Sequence, residues 1–114
     1  MKTAHFIKRP ITTSQNLASA ALSYTTSIGR KFKLEEVTIH ASVAISETIT
    51  ITRDSVSGAN YDTVLASRAL VGETDFVFRP QGECNFFEGD ELKIQCTKAL
   101  STGIVYVEIK LSEM

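Results

Sequence analysis

The sequence predicts an all-β fold: an antiparallel β-sandwich, jelly-roll-like, with about seven or eight strands and an extended N-terminal arm. Three observations predict it. Helix periodicity is nearly absent. Short runs alternate apolar and polar residues over most of the chain. Turn signals such as "SGAN", "VGET", "PQGE", "EGD" and "STG" fall between those runs, with glycines every 7 to 14 residues from Gly58 to Gly103. Many short strands with regularly spaced turns read as a sandwich or barrel.

Residues 1–16, "MKTAHFIKRPITTSQN", form the expected arm, and residues 17–114 the single sandwich domain. The arm carries Lys2, Lys8 and Arg9 and no acid. Phe6 and Ile7 give it an apolar anchor, and an extended peptide with an anchor can add to a partner's sheet edge. Lys2, Phe6, Ile7, Lys8 and Arg9 are therefore the expected partner-binding residues. The apolar patch here is broken by Lys8, Arg9 and Pro10, so no secretory signal is expected. After the arm, "QNLASAALS" at 15–23 is the one stretch that could make a few helical turns.

The body then reads as strands in order. Phe32 and Leu34 alternate with charged residues, and Val37, Ile39, Ala41 and Val43 alternate with Thr38, His40 and Ser42. The apolar parity slips by one across Glu35-Glu36, which is what a β-bulge does. Ile45, Ile49 and Ile51 share a parity with Glu47 and Arg53. A short strand follows around Val64 and Leu65. "TDFVFRP" points Phe76 and Phe78 to the core and ends at Pro80. "DELKIQC" turns Leu92, Ile94 and Cys96 inward, and "GIVYVEIKLSE" does the same with Val105, Val107, Ile109 and Leu111. Tyr61 and Tyr106 are left for the surface.

The chain has 114 residues, 43% hydrophobic and 22% charged, which is ordinary for one globular domain. Net charge is −1, unevenly spread: residues 1–34 hold six cations and no acid, while the other 80 hold six cations and 13 acids. A basic leading segment on an acidic body is a docking-arm pattern.

Chemical motifs are scarce. "FFEGDELKIQC" concentrates Glu88, Asp90 and Glu91, but a calcium loop needs oxygen ligands on alternate positions over about a dozen residues. The flanks here are Phe86, Phe87, Leu92 and Ile94, so Gly89 and Asp90 read as a turn whose carboxylates tolerate amides. Gly58, Pro80 and Gly82 are the other structural turn positions. His40 lies on the polar face of its strand and cannot serve Ser42 as a base, two residues away on the same face. No nucleophile elbow, phosphate loop or Cys-x-x-Cys motif is present. Cys84 and Cys96 read as free thiols. These residues give no catalytic group, no metal site, no cofactor, no membrane span and no specific nucleic-acid partner.

"LEEVTIHASVAISETITITRDSVSGANYDTVL", "DFVFRPQGE", "FFEGDELKIQCTKA" and "GIVYVEIKL", together covering roughly residues 34–111, resemble a class of small tailed-bacteriophage virion proteins, the capsid decoration or cement proteins. The matching motifs are structural, and none carries a functional residue across. The resemblance implies a β-sandwich body with an N-terminal arm. It also implies a non-enzymatic structural role, binding and stabilising an assembled shell in the virion after assembly in the host cytoplasm. Its implied partners are the major capsid protein or other virion subunits, in a homo-oligomer. The competing expectation is a glycan- or receptor-binding module on a virion or cell surface.

Overall fold

The computed structural model describes residues 5–6 and 10–113. Among them are ten strands: β1 (His5–Phe6), β2 (Ile11–Asn16), β3 (Leu22–Ser27), β4 (Phe32–Ile45), β5 (Thr48–Asp54), β6 (Thr63–Ala69), β7 (Glu73–Phe78), β8 (Asn85–Phe86), β9 (Glu91–Cys96) and β10 (Ile104–Glu113). A single 3₁₀ turn, Ala59–Tyr61, separates β5 from β6. No helix is long and apolar enough to cross a membrane among the described residues.

The strands form two antiparallel sheets. One runs β1–β10–β4–β7, with β2 also lying along β10 and β8 along β4; the other runs β3–β9–β5–β6. Strands β2, β10, β4 and β7 thus face β3, β9, β5 and β6, and the chain crosses between layers at most connections. This is the jelly-roll arrangement. The inward residues of both layers interdigitate as one core. Phe32, Leu34, Val37, Ile39, Val105, Ile109, Ile49, Ile51, Leu92 and Ile94 are all buried. Phe32 and Phe86 stack with centroids 4.5 Å apart.

The parity slip at Glu35-Glu36 is a bulge. Leu34 pairs with Leu111 and Glu36 with Lys110, leaving Glu35 without an opposite residue. The extra residue keeps Leu34 and Val37 both inward. Glu35 itself accepts a hydrogen bond from the Ser112 hydroxyl.

Several expectations are corrected. Residues 15–23 form no helix: Asn16 ends β2, Leu17 and Leu22 are buried, and the chain turns between them. The sheet begins before residue 17, because β2 pairs with β10 from Ile11↔Ile109 to Asn16↔Ile104. Threonine and serine alternate there with half-buried residues, a polar strand that hydrophobic alternation does not reveal. Val43 is not inward but 47% exposed, because the β4–β7 register shifts between His40 and Ile45. Phe76 and Phe78 are only half-buried at the core's margin, since β7 is an edge strand.

Candidate functional site

The two ends of the sandwich are each organised by one buried carboxylate. At the end where β5 begins, Glu47 shares the inward parity of Ile49 and Ile51 and is 3% exposed. Buried carboxylates need hydrogen-bond donors. The donors come from the β9–β10 loop: Thr97 Oγ1 at 2.7 Å, Ala99 N at 2.9 and 3.0 Å, Leu100 N at 3.0 Å and Ser101 N at 2.9 Å. Burial opposes ionisation of this carboxyl. The Thr97 hydroxyl and the Leu100, Ser101 and Ala99 N–H groups outweigh it and hold the pKa at about 2. Neighbouring loops lock on as well. Leu70 N donates to Glu47 O (2.9 Å), Gly72 N to Ser46 Oγ (3.0 Å), and Ser46 N to Ser101 Oγ (3.1 Å). The loops so fixed display Leu100, 93% exposed, and Val71, 77% exposed.

At the opposite end Asp90 does comparable work. It is 1% exposed; Oδ1 accepts from Val56 N at 2.8 Å and Oδ2 from Phe87 N at 2.9 Å. The Asp90 N–H closes the turn on Phe87 O at 3.0 Å. Gly89, at φ +95°, is its third residue, the place that demands a left-handed backbone, and a Cβ there would meet Val56 Cγ2 at 2.7 Å. Glu88 and Asp90 are thus parts of a turn and Glu91 opens β9, while the bonding of Asp90 argues against the expected tolerance to an amide there. Both its oxygens accept backbone N–H groups, a role that residue spacing alone did not reveal. Phe87 and Val56, held by this carboxylate, are 63% and 59% exposed.

The other sequence-singled residues fall as follows. Gly58 (φ +114°) precedes the 3₁₀ turn, and Gly82 (φ +82°) lies in the bend after Pro80. Phe6 pairs through its backbone with Ser112, at the far end of β10. Lys2, Ile7, Lys8 and Arg9 lie outside the described residues. Cys84 and Cys96 are free thiols. Burial raises the Cys84 pKa; burial, with Glu47 nearby, pushes Cys96 to about 11.

Two hollows lined by described residues bear on the site. One, of about 450 Å³, lies beside Leu65, Phe78, Arg79, Pro80 and Cys84. The other, of about 300 Å³, lies on the outer face of the β10–β4 sheet among Thr12, Thr38, His40, Tyr106 and Glu108. On that face Glu36 receives hydrogen bonds from Thr38 (2.9 Å) and Arg79 (3.0 Å), which lower its pKa, with Lys110 at 3.7 Å adding to them. Among the described residues no three His, Cys, Asp or Glu side chains gather as a metal site would require.

No family model matches the chain, and no curated protein is significantly similar to it. Solved structures match in fold. A chain in the structure of infectious bursal disease virus, Gx strain, aligns over 96% of this chain at 13% identity and a TM-score of 0.53. This chain spans only 31% of that viral chain. The Drosophila NLP core, whose structure concerns pentamer formation and histone binding, aligns over 91% of this chain and 98% of its own, at 15% identity and a TM-score of 0.50. At these identities the likeness is one of fold, a jelly-roll sandwich, and of nothing finer.

Proposed function

We propose that this protein is a non-enzymatic structural component of a tailed-phage virion, a decoration or cement protein that binds an assembled capsid shell and stabilises it. The observation that carries the reading is the pair of loop ends held by Glu47 and Asp90. Each buried carboxylate has its oxygens committed to backbone N–H groups, and each fixed loop set displays exposed apolar side chains. Rigid apolar display suits docking, because little conformational entropy is lost when the partner arrives. The fold shared with a chain of infectious bursal disease virus supports a virion setting. The pentamer studied for the Drosophila NLP core supports self-association as a use of this fold.

The partners in this reading are the major capsid protein, other virion subunits and further copies of this chain. Assembly occurs in the host cytoplasm and the protein remains in the virion. Stabilisation is mass action: a ligand that binds only the assembled shell raises its stability by RT ln(1 + [L]/Kd) per site. The test is co-sedimentation of the purified protein with shells assembled from the major capsid protein of the same virion. Saturable binding and a raised shell melting temperature are expected. Binding to none of the shell states, or binding without stabilisation, overturns the proposal.

A further inference from the structure

We infer that the outer face of the β10–β4 sheet carries a binding site for a neutral pyranose sugar, in the hollow lined by Tyr106, His40, Thr12, Thr38 and Glu108. The inference stands apart from the shell reading. Outward residues here are set in rows by strand register. Tyr106 lies opposite His40, and His40 opposite Asp75, while one step along the strands Glu108 lies opposite both Thr38 and Thr12.

The first row makes a platform. The Tyr106 and His40 rings lie within 23° of parallel with centroids 6.4 Å apart. Asp75 Oδ1 sits 2.5 Å from His40 Nδ1 and fixes the imidazole's orientation. Tyr106 is 46% exposed, so its ring is open to a ligand despite lying mid-sheet. The second row supplies polar groups: the Thr12 and Thr38 hydroxyls and the Glu108 carboxylate line the same hollow of about 300 Å³. That volume is at the lower end for a small-molecule site.

The chemistry selects the ligand. A pyranose presents C–H bonds on one face and hydroxyls round its rim. The face matches an aromatic platform, and the rim matches hydroxyl and carboxylate groups beside it. A strand-like peptide fits poorly, because β10 is paired on both edges and has no free backbone row to offer. A phosphorylated or otherwise anionic ligand fits poorly too. The charged side chains lining the hollow or holding its platform are Glu108 and Asp75, and among the described residues no Lys or Arg lines it.

The experiment is an NMR titration of the isolated, isotope-labelled full chain with glucose, galactose, mannose and N-acetylglucosamine in turn. Expected are shifts from at least one sugar, confined to 12–13, 38–40, 75 and 106–108. Affinity should be weak, as for an open one-ring site. Tyr106→Phe keeps the ring and should retain binding. Tyr106→Ala should weaken it roughly tenfold or more while leaving the melting temperature nearly unchanged. If none of the four sugars shifts these residues, if the shifts map elsewhere, or if Tyr106→Ala binds as tightly as the native chain, the site is refuted. A glucose 6-phosphate control that binds more tightly than glucose would equally overturn the neutral-sugar assignment.

Discussion

The Glu47 carboxylate, buried to 3% exposure, holds the backbone N–H of Leu100 at 3.0 Å, and the Leu100 side chain is 93% exposed. The most outward apolar side chain among the described residues is thus fixed by one of the most inward charges. Glu47→Gln should show how much that bond set contributes. An amide keeps one acceptor oxygen but turns an NH₂ donor toward N–H groups that need an acceptor. The expected loss is about 1–3 kcal/mol of stability, read by chemical denaturation. If docking is by this loop, shell binding falls with it. A variant as stable as the native chain would show the cage to be idle.

The same carboxyl makes a pH prediction. Its folded pKa, about 2, lies below its ordinary 4.5. The unfolded chain therefore takes up this proton first on acidification. The stabilisation is complete above pH 4.5 and is lost as pH falls from there toward 2. Melting temperature should decline across that window, and Glu47→Gln should remove part of the decline. An identical acid profile in both proteins would exclude Glu47 as its source.

At the other end Asp90 and its neighbours should part company. Glu88→Gln and Glu91→Gln are expected to stay within about 0.5 kcal/mol, as surface changes do. Asp90→Asn should cost about 1–3 kcal/mol, because its new NH₂ would face either Phe87 N–H or Val56 N–H. Gly89→Val should be worse still, combining a strained positive φ with a clash against Val56 Cγ2. Equal stability for all three amide variants would refute the Asp90 tie.

Cys84 and Cys96 are free, so reducing agent should leave the melting temperature unchanged. Cys96, buried with its thiol pushed to about 11, should resist alkylation near neutral pH until the protein unfolds. Fast labelling of Cys96 in the native state would show that the sheet opens locally at β9.

The sheet architecture was legible in the chain because period-two alternation is a local signal. The bulge at Glu35 was legible for the same reason: a parity slip must be absorbed somewhere. Glu47 carried half of a signal, a carboxylate among inward isoleucines, but its donors lie about 50 residues away in a loop that no periodicity marks. Tyr106 and His40 were each assignable to the outer face. That they stand opposite one another depends on the β4–β10 register, which no local pattern states. Strand β2 escaped notice because Thr12, Thr13, Ser14 and Gln15 carry little apolar contrast, and its half-burial comes from its neighbours.

Truncation separates arm from body. Strand β2 starts at Ile11 and covers one edge of β10 as far as Asn16, so deleting residues 1–10 removes the His5–Phe6 pairing but leaves β2 in place. That variant should fold with a melting temperature close to the native one. Deleting residues 1–16 strips eight register pairs from β10, the six with β2 among them, and should cost on the order of several kcal/mol, since each lost backbone hydrogen bond is worth about 1 kcal/mol. The shorter deletion isolates docking from folding. Under the shell proposal it removes Lys2, Lys8 and Arg9 with the Phe6–Ile7 anchor, so particle binding should weaken. The remaining affinity should depend less on salt, because exposed charges are screened over about 8–10 Å at physiological ionic strength. A variant lacking residues 1–10 that unfolds would make the leading segment part of the core. One that binds shells as tightly as the full chain would leave docking to the loop ends around Leu100 and Phe87.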